Sequence, residues 1–499
     1  MSFLNDLKEN TNYGYTENGA IKHESTLNPV LDMFAMGGAY RKRTDKEVEE
    51  LFGDAYRANK DLALKCLFYL RDVRGGQGER RFFRVAYKWL IRNDIEVARH
   101  NLLMISEFGR WDDLIEICYN TKLADDMAEI VKKRLIADWS WDNSGISLLA
   151  KWMPSENASS THTKEMAKWF IKKFGWTPKE YRKYLSNLRK QINVLERLLS
   201  AKDWDKIEFD KIPSLAGLKY SHAFATREEL AERYKEFMSS KKTKVNAAVA
   251  NPVDIVDKVF RTRKDDAIGR LSIQKYWDNL KDYYEGREEN AIAVVDVSGS
   301  MFGTPIRAAI GMGAYVAQKS HGPFANHFIT FSSTPELVKF EGDDFYDKVR
   351  RCESAAWGMN TNIEAVMDLL LDTAKKNNCS QDELPARLYI FSDMEFDRCM
   401  TSNATDTGRW FNSHRMGENE RETLFETIEK RWAAAGYKMP KVIFWNLDAR
   451  QNNIPAIGDN FNYISGFSMS QMEAVMANKT AIDMMLEVLL SGRYQLIVA

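Results

Sequence analysis

Apolar positions recur at three- and four-residue spacing through most of the first 285 residues, and the rhythm then changes to short unbroken apolar runs. Helical spacing fills Leu62–Leu70, Phe82–Ile91, Leu102–Phe108, Leu114–Ile117 and Met127–Ala137. It continues through Met166–Phe174, Tyr181–Leu199 and Leu230–Met238, with a further helical stretch over Asp254–Trp277. Breaks fall at Gly75-Gly76-Gln77-Gly78, at Gly109, around Pro154 and at Pro213. Before them, the leading segment reads as irregular, with one apolar patch at Leu31–Met36 and a helix near Asp45–Gly53. Helices joined by short loops without strands predict an α-solenoid of paired helices, or a compact irregular bundle, since no clean period is present. Residues 239–250 read as exposed and flexible, and Lys281–Asn290 as a charged connector that ends this domain at residue 285.

From residue 286 onward, strand-like runs alternate with helical ones. The strands are Ala291–Val295, His327–Phe331, Arg387–Phe391, Lys441–Trp445 and Phe461–Ile464. The helices are Ile306–Lys319, Phe345–Cys352, Ile363–Lys375, Glu420–Ala435 and Ser470–Leu490. That alternation predicts a multidomain chain: a helical repeat domain over 1–285, then over 286–499 an α/β domain with a doubly wound parallel sheet covered on both faces.

Composition narrows the class. The 499 residues exceed one ordinary core, and the net charge of zero names no partner. Split at the boundary, the first part carries 50 basic and 43 acidic residues and the second 21 and 28, a basic and an acidic half. Five scattered cysteines without a C-x-x-C pair fit reduced thiols rather than a disulfide framework or zinc site. The polar start MSFLNDLKEN lacks a signal-peptide core, and no apolar run reaches the ~18 residues of a membrane span. The expectation is a soluble cytoplasmic protein.

Chemistry concentrates where AIAVVDVSGSM (Ala291–Met301) leaves its strand. Asp296, Ser298 and Ser300 put one carboxylate and two hydroxyls on a tight loop at the edge where open α/β sheets bind ligands. Such oxygen-only ligation suits a hard divalent cation, Mg²⁺ or else Mn²⁺ or Ca²⁺. The alternative is a strand-to-helix turn in which Ser300 or Thr304 caps the next helix. Thr361, in the Gly/Asn-rich loop of Trp357–Val366, and Asp393, ending RLYIFSD, bring two more such groups to the same edge. Asp393-Met-Glu395-x-Asp397 adds acids that either tune the ion or form loop surface, Asp397 being read as surface. No P-loop, G-x-G-x-x-G or H-E-x-x-H is present, His327 reads as a core residue, and Cys352 and Cys379 fall in helices without a nearby histidine. A metal-dependent hydrolase is disfavoured because the loops offer few charges and no positioned general base, so the chain is not expected to be an enzyme.

Two basic regions are candidates for RNA. Arg71, Arg74, Arg80, Arg81 and Arg84 flank the Gly75–Gly78 turn, which either cradles a phosphate or simply joins two helices while its arginines pair with Asp72 and Glu79. Residues 151–200 hold 11 Lys/Arg against 4 acidic residues, interleaved with Trp152, Trp169, Trp176, Tyr181 and Tyr184. Lys151, Lys172, Lys173, Arg182, Lys183 and Arg189 are the candidate contacts there. Basic residues among aromatics fit single-stranded RNA, and equally a solvated lysine face over a tryptophan core.

The set Asp296, Ser298, Ser300, Thr361 and Asp393 resembles the metal-ion-dependent adhesion site (MIDAS) of von Willebrand factor A domains. The resemblance implies that Ser298, Ser300 and Thr361 bind the ion directly or through water. It implies that Asp296 and Asp393 bind directly or orient that shell, and that a partner's carboxylate takes the open position. TENGA (Thr16–Ala20), RDVRGGQGERRFFR (Arg71–Arg84), FGRWDDL (Phe108–Leu114), AKWMPSE (Ala150–Glu156), the run Tyr181–Tyr220 holding IPSLAG, FWNLD (Phe444–Asp448) and SGFS (Ser465–Ser468) resemble an uncharacterised DUF2828-type family. Its members, found in plants, bacteria and large viruses, join a TROVE-like, HEAT-like helical region to a von Willebrand A-like domain. That architecture is similar to Ro autoantigen proteins, which bind small non-coding RNAs. The resemblance implies a ribonucleoprotein component that binds non-coding or structured RNA and docks a protein partner through its ion, with no membrane partner. The alternative is a protein-interaction scaffold or assembly component, viral if the source is viral, without RNA.

Overall fold

The computed structural model describes residues 12–140, 145–192, 195–330, 335–354, 361–397 and 423–499. Residues 357–360 of the loop before Thr361, the start of the expected helix at Glu420, the opening decapeptide and Cys399 lie outside the described residues.

The leading segment is ordered where sequence alone reads it as irregular. A hairpin of β1 (Tyr13–Tyr15) and β2 (Ile21–His23) comes first. Helix Pro29–Met36 follows, with Asn28 accepting from the Val30 and Leu31 amides and proline at its first turn. Its apolar residues are buried between the helices that follow it in sequence and the last strand of the distant sheet. From Asp45 the helices run as expected: Asp45–Ala58, Lys60–Arg71, Arg80–Asn93, Trp111–Cys118 and Ala124–Ser140, then Thr161–Phe174 and Pro178–Gln191. Consecutive helices pack on one another. Tyr181–Leu199 is two helices, the second being Leu195–Ala201, and Asp254–Trp277 is likewise Pro252–Arg261 and Ala267–Asp278, parted at the charged Thr262–Asp266. Of the 239–250 stretch, Ser239 ends the helix Glu228–Ser239 and the rest is irregular but not simply exposed, because Val245, Ala247 and Ala250 are buried.

The C-terminal half is a six-stranded sheet. Its strands are β3 (Ala291–Val295), β4 (His327–Thr330), β5 (Glu336–Lys339), β6 (Arg387–Ser392), β7 (Lys441–Asn446) and β8 (Phe461–Ser465). They lie in the order β5-β4-β3-β6-β7-β8. All neighbours are parallel except β5, an antiparallel edge strand whose ELVK sequence is mostly exposed. The central strands are continuous apolar runs because both faces are covered. Helix Thr304–Lys319 lies across β3, β4 and β6, and Pro252–Arg261 packs on its outer side. Gly311 allows that approach, since a Cβ there would stand 2.9 Å from the Pro252 backbone. Both ends of the helical array are therefore anchored on the α/β half, one on β8 and the other over β3.

Candidate functional site

The chain runs from β3 outward to β4 and β5, then returns to the other side of β3 as β6. The carboxyl ends of β3 and β6 therefore flank the point where strand order reverses, the ligand crevice of open α/β sheets. Asp296 follows β3 and Asp393 follows β6, and both are fully buried. Asp296 Oδ1 accepts the Ser298 amide at 2.9 Å, and Oδ2 accepts the Ser392 hydroxyl at 2.5 Å. The Ser298 and Ser300 hydroxyls are 3.0 Å apart. Helix Thr304–Lys319 starts from Gly303 with no side-chain cap, so neither Ser300 nor Thr304 serves as the capping residue. Thr361, also buried, donates to the Glu395 carbonyl at 2.8 Å, with Asp397 Oδ1 at 3.1 Å. Asp397 thus holds the threonine rather than forming free loop surface.

Burial pushes the Asp296 carboxyl above its ordinary range, and the Asp393 charge adds to this against hydrogen bonds from Ser392 and Ser298. Burial likewise raises Asp393, opposed by the Ser300 hydroxyl, the Glu395 amide and Arg450. Asp393 Oδ2 makes no hydrogen bond of good geometry, and Glu395 Oε1 is in the same condition. Two buried carboxylates beside three hydroxyls need a positive charge, and the hard, all-oxygen donor set fits a divalent cation. Asp296, Ser298, Ser300, Thr361 and Asp393 are the residues that would hold it. Among the described residues no cluster of three His, Cys, Asp or Glu side chains could bind a metal; this site is built largely from hydroxyls.

Sequence reasoning missed the groups that close the site from the opposite end of the chain. Asn18, on the β1–β2 turn, donates to Thr361 Oγ1 at 2.9 Å and to the Glu395 carbonyl at 2.6 Å. The Glu17 amide donates to Glu395 Oε2 at 2.7 Å. The loop after β7 brings Arg450 Nε to 3.5 Å from Asp393 Oδ2, and Lys42 pairs with Asp448 on that same loop. The available signals were TENGA, a polar turn between two short strands, and FWNLD, whose last two residues leave β7 and open the loop that carries Arg450.

The arginines beside the glycine turn have structural partners. Arg71 is 2% exposed and paired with Asp113. Arg74 donates to the Glu107 carbonyl at 2.8 Å, Arg80 lies 3.7 Å from Asp112, Arg81 pairs with Asp45, and Arg84 bridges Asp112 and Asp113. Asp72 and Glu79 pair with Arg493 and Arg41, not with the neighbouring arginines. The turn amides of Gly76, Gln77 and Gly78 bond to Asp72 and Tyr69 carbonyls, and the Gly75 and Gly76 carbonyls accept from Gln471 and Ser470. The turn is a joint against SGFS and its successors, and three of its amides are engaged within the turn.

The second basic region is different. An open cleft of about 1200 Å³ lies between helices Pro178–Gln191 and Leu195–Ala201 and the AKWMPSE segment. Lys151, Arg182, Lys183, Arg189, Lys190 and Arg197 line it, against Glu156 and Glu196. Arg182 pairs with Glu156 at 2.7 Å, and Arg189 is pinned by the Ala150 and Met153 carbonyls, while Lys183 and Lys190 are exposed. Lys172 is exposed on another helix, where Lys173 pairs with Asp125. The aromatics are mostly spent on packing: Tyr184 stacks on Trp139 at 4.3 Å and on Trp176 at 4.6 Å, Trp169 meets Tyr119, and Tyr181 is buried.

A family model described as a domain of unknown function, DUF2828, matches residues 16–134 and 175–296, covering the site-closing hairpin loop and the cleft helices. An uncharacterised protein of Acanthamoeba polyphaga mimivirus is 30% identical over 508 aligned positions, 93% of this chain and 85% of that protein. The chain belongs to the DUF2828 family. In this DUF2828 protein the sheet half matches a second family model, again a domain of unknown function, DUF7788, over residues 290–490. Among solved structures, the crystal structure of Deinococcus radiodurans RO (RSR) protein aligns with 93% of this chain and 99% of its own, at 12% identity and a TM-score of 0.47.

Proposed function

We propose that the protein binds structured RNA through the basic cleft and docks a protein partner through a divalent cation at the Asp296–Asp393 site. The cleft carries the RNA reading. It gathers six cationic side chains around an open volume of about 1200 Å³ and leaves Lys183 and Lys190 exposed. Because nearby rings are packed among themselves, the cleft reads phosphate positions rather than stacking bases, which favours folded RNA over single strands. At the second site the bound cation would supply Lewis acidity and an open coordination position for a partner's carboxylate. Ser298, Ser300 and Thr361 contribute neutral oxygens there, and Asp296 and Asp393 the negative charge. Phe302, 87% exposed beside this loop, offers an apolar contact to the same partner.

Fluorescence anisotropy with a labelled RNA hairpin tests the cleft. Affinity should fall by an order of magnitude or more as salt rises from about 50 to about 200 mM. The triple variant Lys183→Glu, Lys190→Glu, Arg197→Glu should lose at least about tenfold at low salt with unchanged melting temperature. Binding indifferent to both salt and these substitutions would refute the reading.

A further inference from the structure

The turn of the leading hairpin packs on the Thr361–Asp397 side of the cation site. Thr16 Oγ1 donates to the Phe396 carbonyl at 2.7 Å, and Gly19 bridges to Asp397 in antiparallel fashion. Between these anchors Asn18 Nδ2 spends its two hydrogens on Thr361 Oγ1 and the Glu395 carbonyl. That leaves the second lone pair of the threonine oxygen to face the site. The neighbouring carboxylate, Glu17, takes Arg450 Nη2 at 2.7 Å, while Nε of the same guanidinium stands 3.5 Å from the unpartnered Asp393 Oδ2. Arg450 and Glu17 are 31% and 39% exposed, so this pair can move, whereas Asp393 cannot.

We infer that Arg450, held between Glu17 and Asp393, is a resident counter-charge that competes with the divalent cation for Asp393, and that its existing pair with Glu17 retains it when the cation enters. The inference rests on the reading of Asp296–Ser300 as a cation loop. A guanidinium and a divalent ion cannot share one buried carboxylate without strong repulsion. Uptake of the ion therefore displaces Arg450 from Asp393 and leaves it on Glu17 alone, and the hairpin turn that carries Glu17 becomes the element that responds to occupancy. Asn18 acts as a positioning residue, fixing the Thr361 hydroxyl.

The two residues of the pair should act with opposite signs. In calorimetric titrations of the full chain with Mn²⁺ alone, Arg450→Gln should tighten binding by about tenfold, by removing the competitor. Glu17→Gln should weaken it, by removing the carboxylate that now shares Arg450 with Asp393, and the double variant should behave like Arg450→Gln. Thermal unfolding without metal confirms that each variant is folded. If Asp296→Asn abolishes Mn²⁺ uptake but Arg450→Gln leaves it unchanged or weaker, the inference falls and the cation reading stands. Uptake that survives Asp296→Asn removes the cation reading, and no uptake by either wild type or Arg450→Gln removes both.

Discussion

Arg71 and Asp113 meet in the core of the helical half, with Nε and Nη2 of the arginine 2.9 and 2.6 Å from a single carboxylate oxygen. The other oxygen accepts Arg84 Nε at 2.7 Å. This contact joins the RDVRGG segment to FGRWDDL. Arg71→Ala leaves a buried charge short of a partner, a loss of about 3–5 kcal/mol when nothing replaces it. With Arg84 still in place, the low end of that range is expected, read as a shift in the urea midpoint.

A second joint depends on a missing side chain. The Gly38 amide donates to Ser465 Oγ at 2.9 Å, and a Cβ on Gly38 would sit 2.6 Å from the Ser465 carbonyl oxygen. Since the obstacle is backbone at the end of β8, it cannot swing away. Gly38→Ala should cost about 1–3 kcal/mol, and hydrogen exchange should show β8 loosening first.

Asp254 sets a pH dependence. Burial pushes its carboxyl up from 3.8 to about 6, with Asp257 adding to the rise and the Asn251 amide opposing it. Between about pH 4 and pH 6 the folded chain retains a proton that the unfolded chain has lost, so this group's contribution to stability falls as pH rises through that window. Asp254→Asn removes the titration. Relative to wild type, it should gain on the order of 2 kcal/mol at pH 8 and little at pH 4, in parallel denaturation curves.

Phe302 separates docking from folding. At 87% exposure it contributes little to the core, so Phe302→Ser should change stability by no more than about 0.5 kcal/mol. Cation-dependent retention of partner proteins should nonetheless drop severalfold, measured by quantitative mass spectrometry with and without chelator. Equal retention by both proteins would remove Phe302 from the docking surface.

The strands were legible because β3, β6, β7 and β8 are buried on both faces and so read as unbroken apolar runs. Asp296 and Asp393 were legible for the same reason, each ending such a run. The edge strand β5 was not, since ELVK is short, charged and exposed. Nor was the β1–β2 hairpin, whose turn residues look like a loop until their partners are known. Asn18 meets Thr361 across 343 positions and Arg450 meets Asp393 across a strand, and no local periodicity encodes contacts of that kind.

The packing of helix Pro29–Met36 on β8 orders events during synthesis. Residues 12–42 are made well before residue 465, so the polar hairpin and the side of the helix that meets β8 stay without their partners in the α/β half until late in synthesis, although the helix meets Asp45–Ala58 and Lys60–Arg71 early. Over that interval the segment is only partly covered, and the long sequence separation slows closure. The nascent chain is thus a natural client for a chaperone that shields residues 12–42. Supplying residues 12–42 in trans to a chain that starts at residue 43 should restore a folded sheet.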